Sequence, residues 1–303
     1  MLSTFFSTSR PVHYLMLSII VVAMVLFAIL WDPQMHWWEL ISILVLSGSL
    51  ALVEFIVSKN DLTPSSSYAL WCATILLLTY LAFKVPLHII IALFFILLAI
   101  RRLLSLKTGH SIIKKIFDAT FWISIATIFY HWSALLNLLV FVSIFLYVRN
   151  DFRHWATPFI ALGCVWVLLF TYDYVWDDQV ISLLWQSYKT SYLWERVVFQ
   201  GQEFILLILI TLSVIGVFVY MTKLIDIQQS VRPRFTIMTF MGLCGMTLFL
   251  IDFESFCNGG YLFLILPLSV FIARVVHAID HKVFKEIFLW IPILLLLGSF
   301  LLY

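Results

Sequence analysis

The sequence predicts an all-α membrane protein, a polytopic bundle of about eleven transmembrane helices that forms a single integral membrane domain over residues 1–303. Three observations predict this fold class. Apolar residues make up 63% of the chain and charged residues 11%, with a mean hydropathy of +1.07. Apolar runs of membrane-spanning length recur along the chain, and most basic residues fall on one side of them. A chain with so few charges cannot cover its apolar surface in water, so a lipid bilayer is its expected solvent and partner.

The apolar runs define the predicted spans. About 20 apolar residues cross the roughly 30 Å hydrocarbon core, because a helix rises about 1.5 Å per residue. The predicted spans cover residues 13–30, 40–58, 68–83, 87–104, 119–132, 134–148, 155–173, 204–222, 235–251, 261–278 and 286–303. The first is interpreted as a retained span, because no small-residue cleavage site follows it. Only His131, Trp132 and Ser133 separate the fifth span from the sixth, so a single long helix or a re-entrant pair is the alternative there.

The distribution of basic residues predicts the orientation. With a cytoplasmic N-terminus, fifteen of the eighteen Lys and Arg residues fall on the cytoplasmic side, leaving Lys84, Lys189 and Arg196 outside. The positive-inside rule expects this division, and merging the fifth and sixth spans would mix the two sets. The sequence therefore predicts the N-terminus inside and the C-terminus outside. The net charge of only +2 gives no basic excess that would indicate nucleic-acid binding.

Two connections are long enough to carry a function. Residues 101–118 predict a basic cytoplasmic loop, which either fixes the topology against anionic headgroups or binds phosphate. The basic side chains available for phosphate are Arg101, Arg102, Lys114 and Lys115. Residues 177–200, on the outer side, predict an amphipathic helix in the membrane interface. Its apolar face recurs at three- and four-residue steps and comprises Ile181, Leu184, Trp185, Tyr188 and Tyr192.

A cluster of acidic residues on the outer side is the candidate catalytic site. Its members adjoin different predicted spans, so several can converge on one outer vestibule. They are Asp32, Asp173, Asp177, Asp178, Asp252 and Glu254. Paired carboxylates hold Mg²⁺ or Mn²⁺, or act as a general base toward a sugar hydroxyl. The alternative is a set of solvated surface charges, and the sequence leaves open whether any metal or other cofactor binds.

The histidines and the spans offer weaker signals. His277 and His281 are four residues apart, a spacing that places two imidazoles on one helix face as a metal site requires. No further ligand pattern accompanies them, so a structural role is the alternative. Apart from Glu54, the predicted spans carry no carboxylate at mid-depth, and ion-coupled transporters need such groups or broken helices. A transporter is therefore the weakest of the functional interpretations.

Several segments together resemble a known family. They are FFSTSRPVHY (5–14), KNDLTPSSSYAL (59–70), RRLLSLK (101–107), KKIFDATFWISIATIFY (114–130) and, more weakly, RNDFRHWATPFIALG (149–163). The sequence is similar to an uncharacterised family of polytopic inner-membrane proteins of Bacteroidota, about 300 residues long, and the likeness covers mainly the first half. The resemblance implies a bacterial inner membrane and a role related to the cell envelope; in that membrane the C-terminus predicted outside would be periplasmic. It carries no assigned activity.

Two hypotheses of different classes follow from the sequence. The first is a multispan inner-membrane protein of envelope biogenesis whose outer acidic cluster faces a lipid-linked or glycan substrate. The second is a non-catalytic subunit or anchor of a membrane protein complex, with partner membrane proteins in place of a substrate. The absence of a sharp motif and the aromatic content (12 Trp, 28 Phe and 12 Tyr) favour the second. Whether the protein is an enzyme stays open at this point.

Overall fold

The computed structural model describes residues 2–31, 39–148, 151–176, 180–182, 211, 232–251, 259–279 and 281–301. Across these residues the chain is helical without strands, which confirms the predicted all-α class. The helices, numbered in chain order, are α1 (Leu2–Phe5), α2 (Pro11–Trp31), α3 (Leu40–Lys59), α4 (Tyr68–Ala82), α5 (Leu87–Leu104), α6 (Ile112–Phe129), α7 (Asn137–Tyr147), α8 (Phe152–Trp176), α9 (Arg232–Ile251), α10 (Ile265–Ala278) and α11 (Lys282–Leu301). Three 3₁₀ segments adjoin them at Ser105–Thr108, His131–Leu136 and Gly260–Leu264.

Six helical stretches in the described part of the chain are long and apolar enough to cross a membrane. They are Pro11–Trp31, Leu40–Lys59, Leu87–Thr108, Phe152–Trp176, Arg232–Ile251 and Gly260–Ala278. Each coincides with a predicted span, and their length and composition indicate a protein embedded in a lipid bilayer. The predicted span at 204–222 lies outside the described residues, apart from Thr211.

The predicted turn between the fifth and sixth spans is present. Helix α6 ends at Phe129 because Tyr130 takes an extended conformation, with φ −140° and ψ 100°. The chain then forms the 3₁₀ segment before α7, and α7 returns toward Ser105–Thr108, near the start of α6. A 3₁₀ helix rises about 2.0 Å per residue, so residues 131–147 extend about 28 Å, close to the hydrocarbon thickness. The structure therefore has two antiparallel elements here and excludes a single long helix.

The predicted loop 101–118 is much shorter in the structure. Helix α5 continues to Leu104, and the 3₁₀ turn that follows ends at Gly109, whose φ is +69°. Helix α6 then begins at Ile112, so only a few residues connect the two helices. The reason is that Leu103, Leu104 and Leu106 are fully buried and extend the apolar face of α5 beyond its arginines.

Helix α4 lies at the centre of the bundle. Every one of its 15 residues is buried, and it packs against α2, α3, α10 and α11. A helix that is apolar all round needs such surroundings, and its few polar groups need partners within the protein. The Tyr68 hydroxyl donates to the Ser3 carbonyl at 2.5 Å, and Trp71 Nε1 donates to the Leu289 carbonyl at 3.3 Å. Helix α4 thus contacts both the N-terminal residues and the C-terminal helix α11.

The remaining helices surround this centre. Among the six stretches of membrane-spanning length, Pro11–Trp31 and Phe152–Trp176 are the most exposed, with 17% and 22% of an apolar 18-residue window buried, against 78% for Gly260–Ala278. The helix ends gather at two poles. We call one pole the basic end; it lies around Lys59, Lys107, Arg234 and Arg274. We call the other pole the opposite end; there Thr79 Oγ1 donates to the Tyr261 hydroxyl at 3.1 Å.

Candidate functional site

The predicted acidic cluster is only partly within the described residues. Asp173 is described; the other five members, Asp32, Asp177, Asp178, Asp252 and Glu254, lie outside. Of the predicted outer segment 177–200, only residues 180–182 are described, and these are helical. Asp173 and its surroundings therefore make up the described part of the candidate site.

Asp173 lies near the end of α8, toward the opposite end of the bundle, and is half-buried. Its Oδ1 accepts the backbone N–H of Val180 at 2.9 Å, and its Oδ2 accepts that of Ile181 at 3.0 Å. The first N–H groups of a helical turn lack intrahelical partners, and a carboxylate stabilises them well. Asp173 therefore fixes how the chain leaves α8. Each carboxylate oxygen keeps a further acceptor position, because it has two lone pairs.

A cavity of about 140 Å³ lies below this carboxylate, between α6, α8 and the start of α7. Its lining comprises Ser124, Thr127, Ile128, Ala134, Asn137, Leu162, Val165, Trp166 and Leu169. An apolar cavity of about 150 Å³ holds a molecule the size of benzene. This space therefore fits a group of about six carbon atoms, such as one segment of a lipid chain.

The cavity and Asp173 share one face of α8. Leu162, Trp166, Leu169 and Asp173 follow one another at steps of four, three and four residues, the spacing of one helical face. At about 1.5 Å per residue, Asp173 lies about 6 Å beyond Leu169 along the helix axis. A ligand with an apolar tail in the cavity would place its polar group near the carboxylate.

Three side chains of the cavity lining, Ser124, Thr127 and Asn137, carry oxygen atoms, and Trp166 adds an indole N–H. Ser124 Oγ donates to the Thr120 carbonyl at 2.8 Å, and Thr127 Oγ1 donates to the Ile123 carbonyl at 2.9 Å. These bonds to the preceding turn are typical of Ser and Thr within membrane helices. Both hydroxyl oxygens are left as acceptors.

Asn137 completes this polar lining. Its Nδ2 donates to the Ala134 carbonyl at 3.1 Å, which identifies the nitrogen, because a carbonyl accepts only from a donor. Its Oδ1 is buried and has no hydrogen-bond partner. A buried acceptor without a partner costs about 1–3 kcal/mol.

The basic end has a different chemistry. Helix α3 ends at Lys59, and its last carbonyls carry the negative end of the helix dipole. Lys107 Nζ donates to the Lys59 carbonyl at 3.0 Å, and Arg234 Nη1 donates to the Asn60 carbonyl at 2.7 Å. Arg234 also lies 3.3 Å from the Asp61 carboxylate. These cations cap α3.

Arg274 extends the same arrangement to Leu62. Its Nε donates to the Leu62 carbonyl at 2.6 Å, and its guanidinium lies 4.6 Å from the centre of the Phe235 ring. Three cations thus hold the carbonyls of Lys59, Asn60 and Leu62, at the end of α3 and the start of the α3–α4 connection. From the sequence, these residues could be recognised only as basic. A hydrogen bond to a backbone carbonyl requires no particular partner side chain, so no sequence pattern indicates it.

Two histidines hold adjacent serines of the α3–α4 connection. His277 Nε2 lies 2.7 Å from Ser66 Oγ, and His13 Nδ1 lies 3.0 Å from Ser67 Oγ. The bond to Ser66 occupies one nitrogen of the proposed His277 and His281 pair. In the ranges that the structure describes, no group of three or more His, Cys, Asp or Glu residues is arranged to hold a metal ion.

The basic residues of 101–118 are largely engaged with the protein itself. Arg102 pairs with Asp118 at 3.1 Å, and Lys115 Nζ donates to the Ser105 carbonyl at 2.8 Å and to Thr108 Oγ1 at 2.7 Å. Burial first, and then the charge of Arg102, lowers the pKa of Lys115. These contacts favour a structural role over phosphate binding for this segment.

The comparisons with known proteins place the whole chain in one group. A family model described as a family of unknown function (DUF6427) matches residues 1–302. The match covers the second half of the chain as well as the first, where the resemblance in sequence was concentrated. No curated protein and no solved structure matches the chain.

Proposed function

We propose that this chain, which belongs to the family of unknown function DUF6427, is a multispan protein of the bacterial inner membrane that acts on a lipid-linked or glycan substrate in envelope biogenesis. The observation that carries the proposal is the placement of the Asp173 carboxylate one helical turn beyond a cavity between membrane helices. Such a site receives an amphiphile with its tail among helices and its polar part at the carboxylate.

The direction of the helices supports a topology of eleven spans. Helices α3, α5 and α7 finish at the basic end, and α9 begins there, whereas α8 finishes at the opposite end. The one span predicted at 204–222 would agree with these directions, because α8 finishes at the end opposite to the one where α9 begins. The concentration of Lys and Arg at the basic end makes that end cytoplasmic, with the C-terminus in the periplasm.

Cysteine labelling tests this orientation. We expect an impermeant maleimide added to intact spheroplasts to modify the native Cys257, because the proposed topology puts it on the periplasmic side. Lys114→Cys combined with Cys257→Ser, with the new thiol at an exposed position of the basic end, is the matched variant and should react only after the membrane is opened. Labelling of position 114 and protection of Cys257 in sealed spheroplasts would reverse the orientation.

The chemistry proposed for Asp173 is that of a general base. Two backbone N–H bonds hold its carboxylate in one orientation, and the remaining lone pairs can accept the proton of a sugar hydroxyl. The hydroxyl oxygen then attacks the donor carbon as the leaving group departs. Further carboxylates from the cluster would act beside it, alone or by holding a divalent cation.

Replacing the carboxylate by its amide tests this role. We expect Asp173→Asn to lower activity about 100-fold or more, because general-base catalysis typically contributes about 10²–10⁴-fold. The measurement is complementation of a deletion strain, read as the amounts of lipid-linked and glycan species by mass spectrometry. The fold should persist, since the Asn oxygen still accepts one of the two N–H bonds.

Asp151→Asn is the matched control, because Asp151 also accepts a backbone N–H, from Arg153 at 3.2 Å, but lies at the start of α8. We expect it to complement fully. Full activity in all three of the variants Asp32→Asn, Asp173→Asn and Asp252→Asn would contradict the proposal that the protein is an enzyme. If native mass spectrometry then found a stoichiometric protein partner and no retained lipid, it would support the alternative function, a non-catalytic subunit or anchor of a membrane protein complex.

A further inference from the structure

A carboxylate and a guanidinium lie at the same level of the bundle, where α3 and α5 pack together. Glu54 is half-buried on α3, and Arg101 is exposed on α5. The Arg101 guanidinium lies 4.6 Å from the centre of the ring of Phe55, the residue that follows Glu54. Both charged groups therefore lie near the basic end, on neighbouring parts of the surface of α3.

Neither charge is paired within the protein. The ion pairs in the part of the chain that the structure describes join other residues: Arg102 to Asp118, His154 to Asp151 and Arg234 to Asp61. Lys59 is the nearest cation along α3, but five residues at about 100° each place it about 140° around the helix from Glu54. Pairs on a helix form at spacings of three or four residues. The Glu54 charge is therefore balanced either by a proton or by a cation from outside the protein.

Glu54 lies at the depth of lipid headgroups. The membrane-spanning stretch that contains it ends at Lys59, and a rise of about 1.5 Å per residue places Glu54 about 7 Å inside that end. The headgroup region on each side of the hydrocarbon core is roughly 5–8 Å thick. A glutamate side chain is too short to reach far beyond its own level, unlike Lys or Arg. Its carboxylate therefore meets the junction of lipid headgroups and acyl chains.

The helix surface beside the two charged groups is open to lipid. Ala51 and Ser58, which lie one turn before and one turn after Glu54, are both exposed. Side chains of successive residues diverge by about 100° around a helix about 10–12 Å in diameter, so about 8 Å separates the tips of Glu54 and Phe55. An ion pair requires about 4 Å or less. The gap leaves room for a group that contacts both charges.

A zwitterionic phospholipid headgroup has the chemistry to fill this gap. Its phosphate accepts hydrogen bonds from a guanidinium, often two in parallel. Its primary ammonium carries three N–H donors, as a lysine does, and a carboxylate accepts from them. Two methylene groups separate the ammonium from the phosphate ester, and a hydrogen bond of about 2.8 Å at each end extends this reach to the order of 8 Å. An anionic headgroup without an amine would bring its negative charge toward Glu54.

We propose that Glu54 and Arg101 form a binding site for a phospholipid with a primary ammonium group, such as phosphatidylethanolamine. Glu54 accepts a hydrogen bond from the ammonium, and Arg101 donates to the phosphate. The acyl chains lie along the exposed apolar face of α3, which includes Ile41 and Leu44. This site is separate from Asp173 and does not depend on the activity proposed for it.

Native mass spectrometry of the full-length protein in detergent, with one lipid added at a time, tests the assignment. The probes are phosphatidylethanolamine, phosphatidylcholine and phosphatidylglycerol with identical acyl chains. Phosphatidylcholine keeps the positive charge, but its quaternary nitrogen donates no hydrogen bond, and phosphatidylglycerol has no amine. We expect the first molecule of phosphatidylethanolamine to bind about three- to tenfold more tightly than either, as one charged hydrogen bond at a half-exposed position would allow.

Three variants assign the contacts. Glu54→Gln should weaken binding of phosphatidylethanolamine about three- to tenfold and remove its advantage over phosphatidylglycerol. Arg101→Met should weaken binding of all three lipids, because each carries a phosphate. Asp61→Asn is the matched control: it removes a carboxylate of the same end that already pairs with Arg234, and it should leave the preference unchanged.

Three results would overturn the proposal. The first is equal binding of phosphatidylethanolamine and phosphatidylglycerol by the unmodified protein. The second is an unchanged preference in Glu54→Gln, which would show that a proton balances this carboxylate. The third is an equal loss of preference in Asp61→Asn, which would assign the preference to the overall charge of the basic end. Complementation by Asp173→Asn enters none of these results, so the lipid site and the proposed activity are tested separately.

Discussion

Gly259→Ala should destabilise the protein by about 2–5 kcal/mol, one of the largest effects expected of a single methyl group in this chain. Gly259 has a φ of +77°, in the left-handed region where an L-residue with a Cβ costs about 1–2 kcal/mol. A Cβ there would also overlap Val85 Cγ1 and approach Cγ2 at 3.2 Å. Overpacking of this kind typically costs a further 1–3 kcal/mol, roughly. The measurement is equilibrium unfolding of the purified protein in detergent micelles.

Gly109 provides the matched control for the backbone contribution. Its φ is +69°, but a Cβ at this position would meet nothing within 4 Å. Gly109→Ala should therefore cost only the conformational part, about 1–2 kcal/mol. Combining Gly259→Ala with Val85→Ala should recover part of the loss by making room for the new methyl. Equal destabilisation by the two glycine variants would show that contact with Val85 is not what restricts position 259.

Arg274→Met should destabilise the protein by about 2–4 kcal/mol. The change leaves the Leu62 carbonyl without the 2.6 Å bond from Nε and removes the cation from the Phe235 ring. A hydrogen bond from a charged donor contributes about 1.5–3 kcal/mol and a cation–π contact about 0.5–1 kcal/mol. Methionine keeps a long apolar stem, so the loss reports the guanidinium rather than the volume. The same unfolding measurement applies.

Arg101→Met isolates the aromatic contact. Arg101 lies 4.6 Å from the centre of the Phe55 ring, the same distance as in the Arg274 pair, but its side chain is exposed. We expect it to cost no more than about 1 kcal/mol. Arg274→Lys should fall between the two, because it keeps the charge and loses the planar fork. An Arg274→Met variant no less stable than Arg101→Met would rule out the α3–α4 connection as a stabilising contact of Arg274.

The helical class and most span positions were predictable, because the bilayer imposes length and composition on any spanning segment. The turn at His131–Ser133 was also predictable from two apolar runs that together exceed one span. The 3₁₀ conformation after Tyr130 was not, since it depends on packing rather than on a local motif. The loop predicted at 101–118 was too long, because the next span was predicted to begin at residue 119, whereas α6 begins at Ile112 and buries Ile116.

The candidate site was harder to predict from the sequence than the fold. Asp173 was selected for its charge and predicted depth, which give no sign that its oxygens hold the N–H groups of Val180 and Ile181. Nothing in the sequence indicated Asn137, because a single asparagine near the start of a helix is common. Asn137 lines the cavity only because residues from three separate stretches of the chain form that cavity together.

The central position of α4 has a consequence for biosynthesis. Its 15 residues are covered in part by α10 and α11, which the ribosome makes roughly 180 residues later. At about 5–20 residues per second, α4 waits about 10–40 s for these partners. During this interval Trp71 and Thr79 lack their hydrogen bonds to Leu289 and Tyr261 and face lipid or a membrane chaperone. A nascent chain released before α10 keeps that face uncovered, which gives membrane proteases a feature by which truncated copies differ from complete ones.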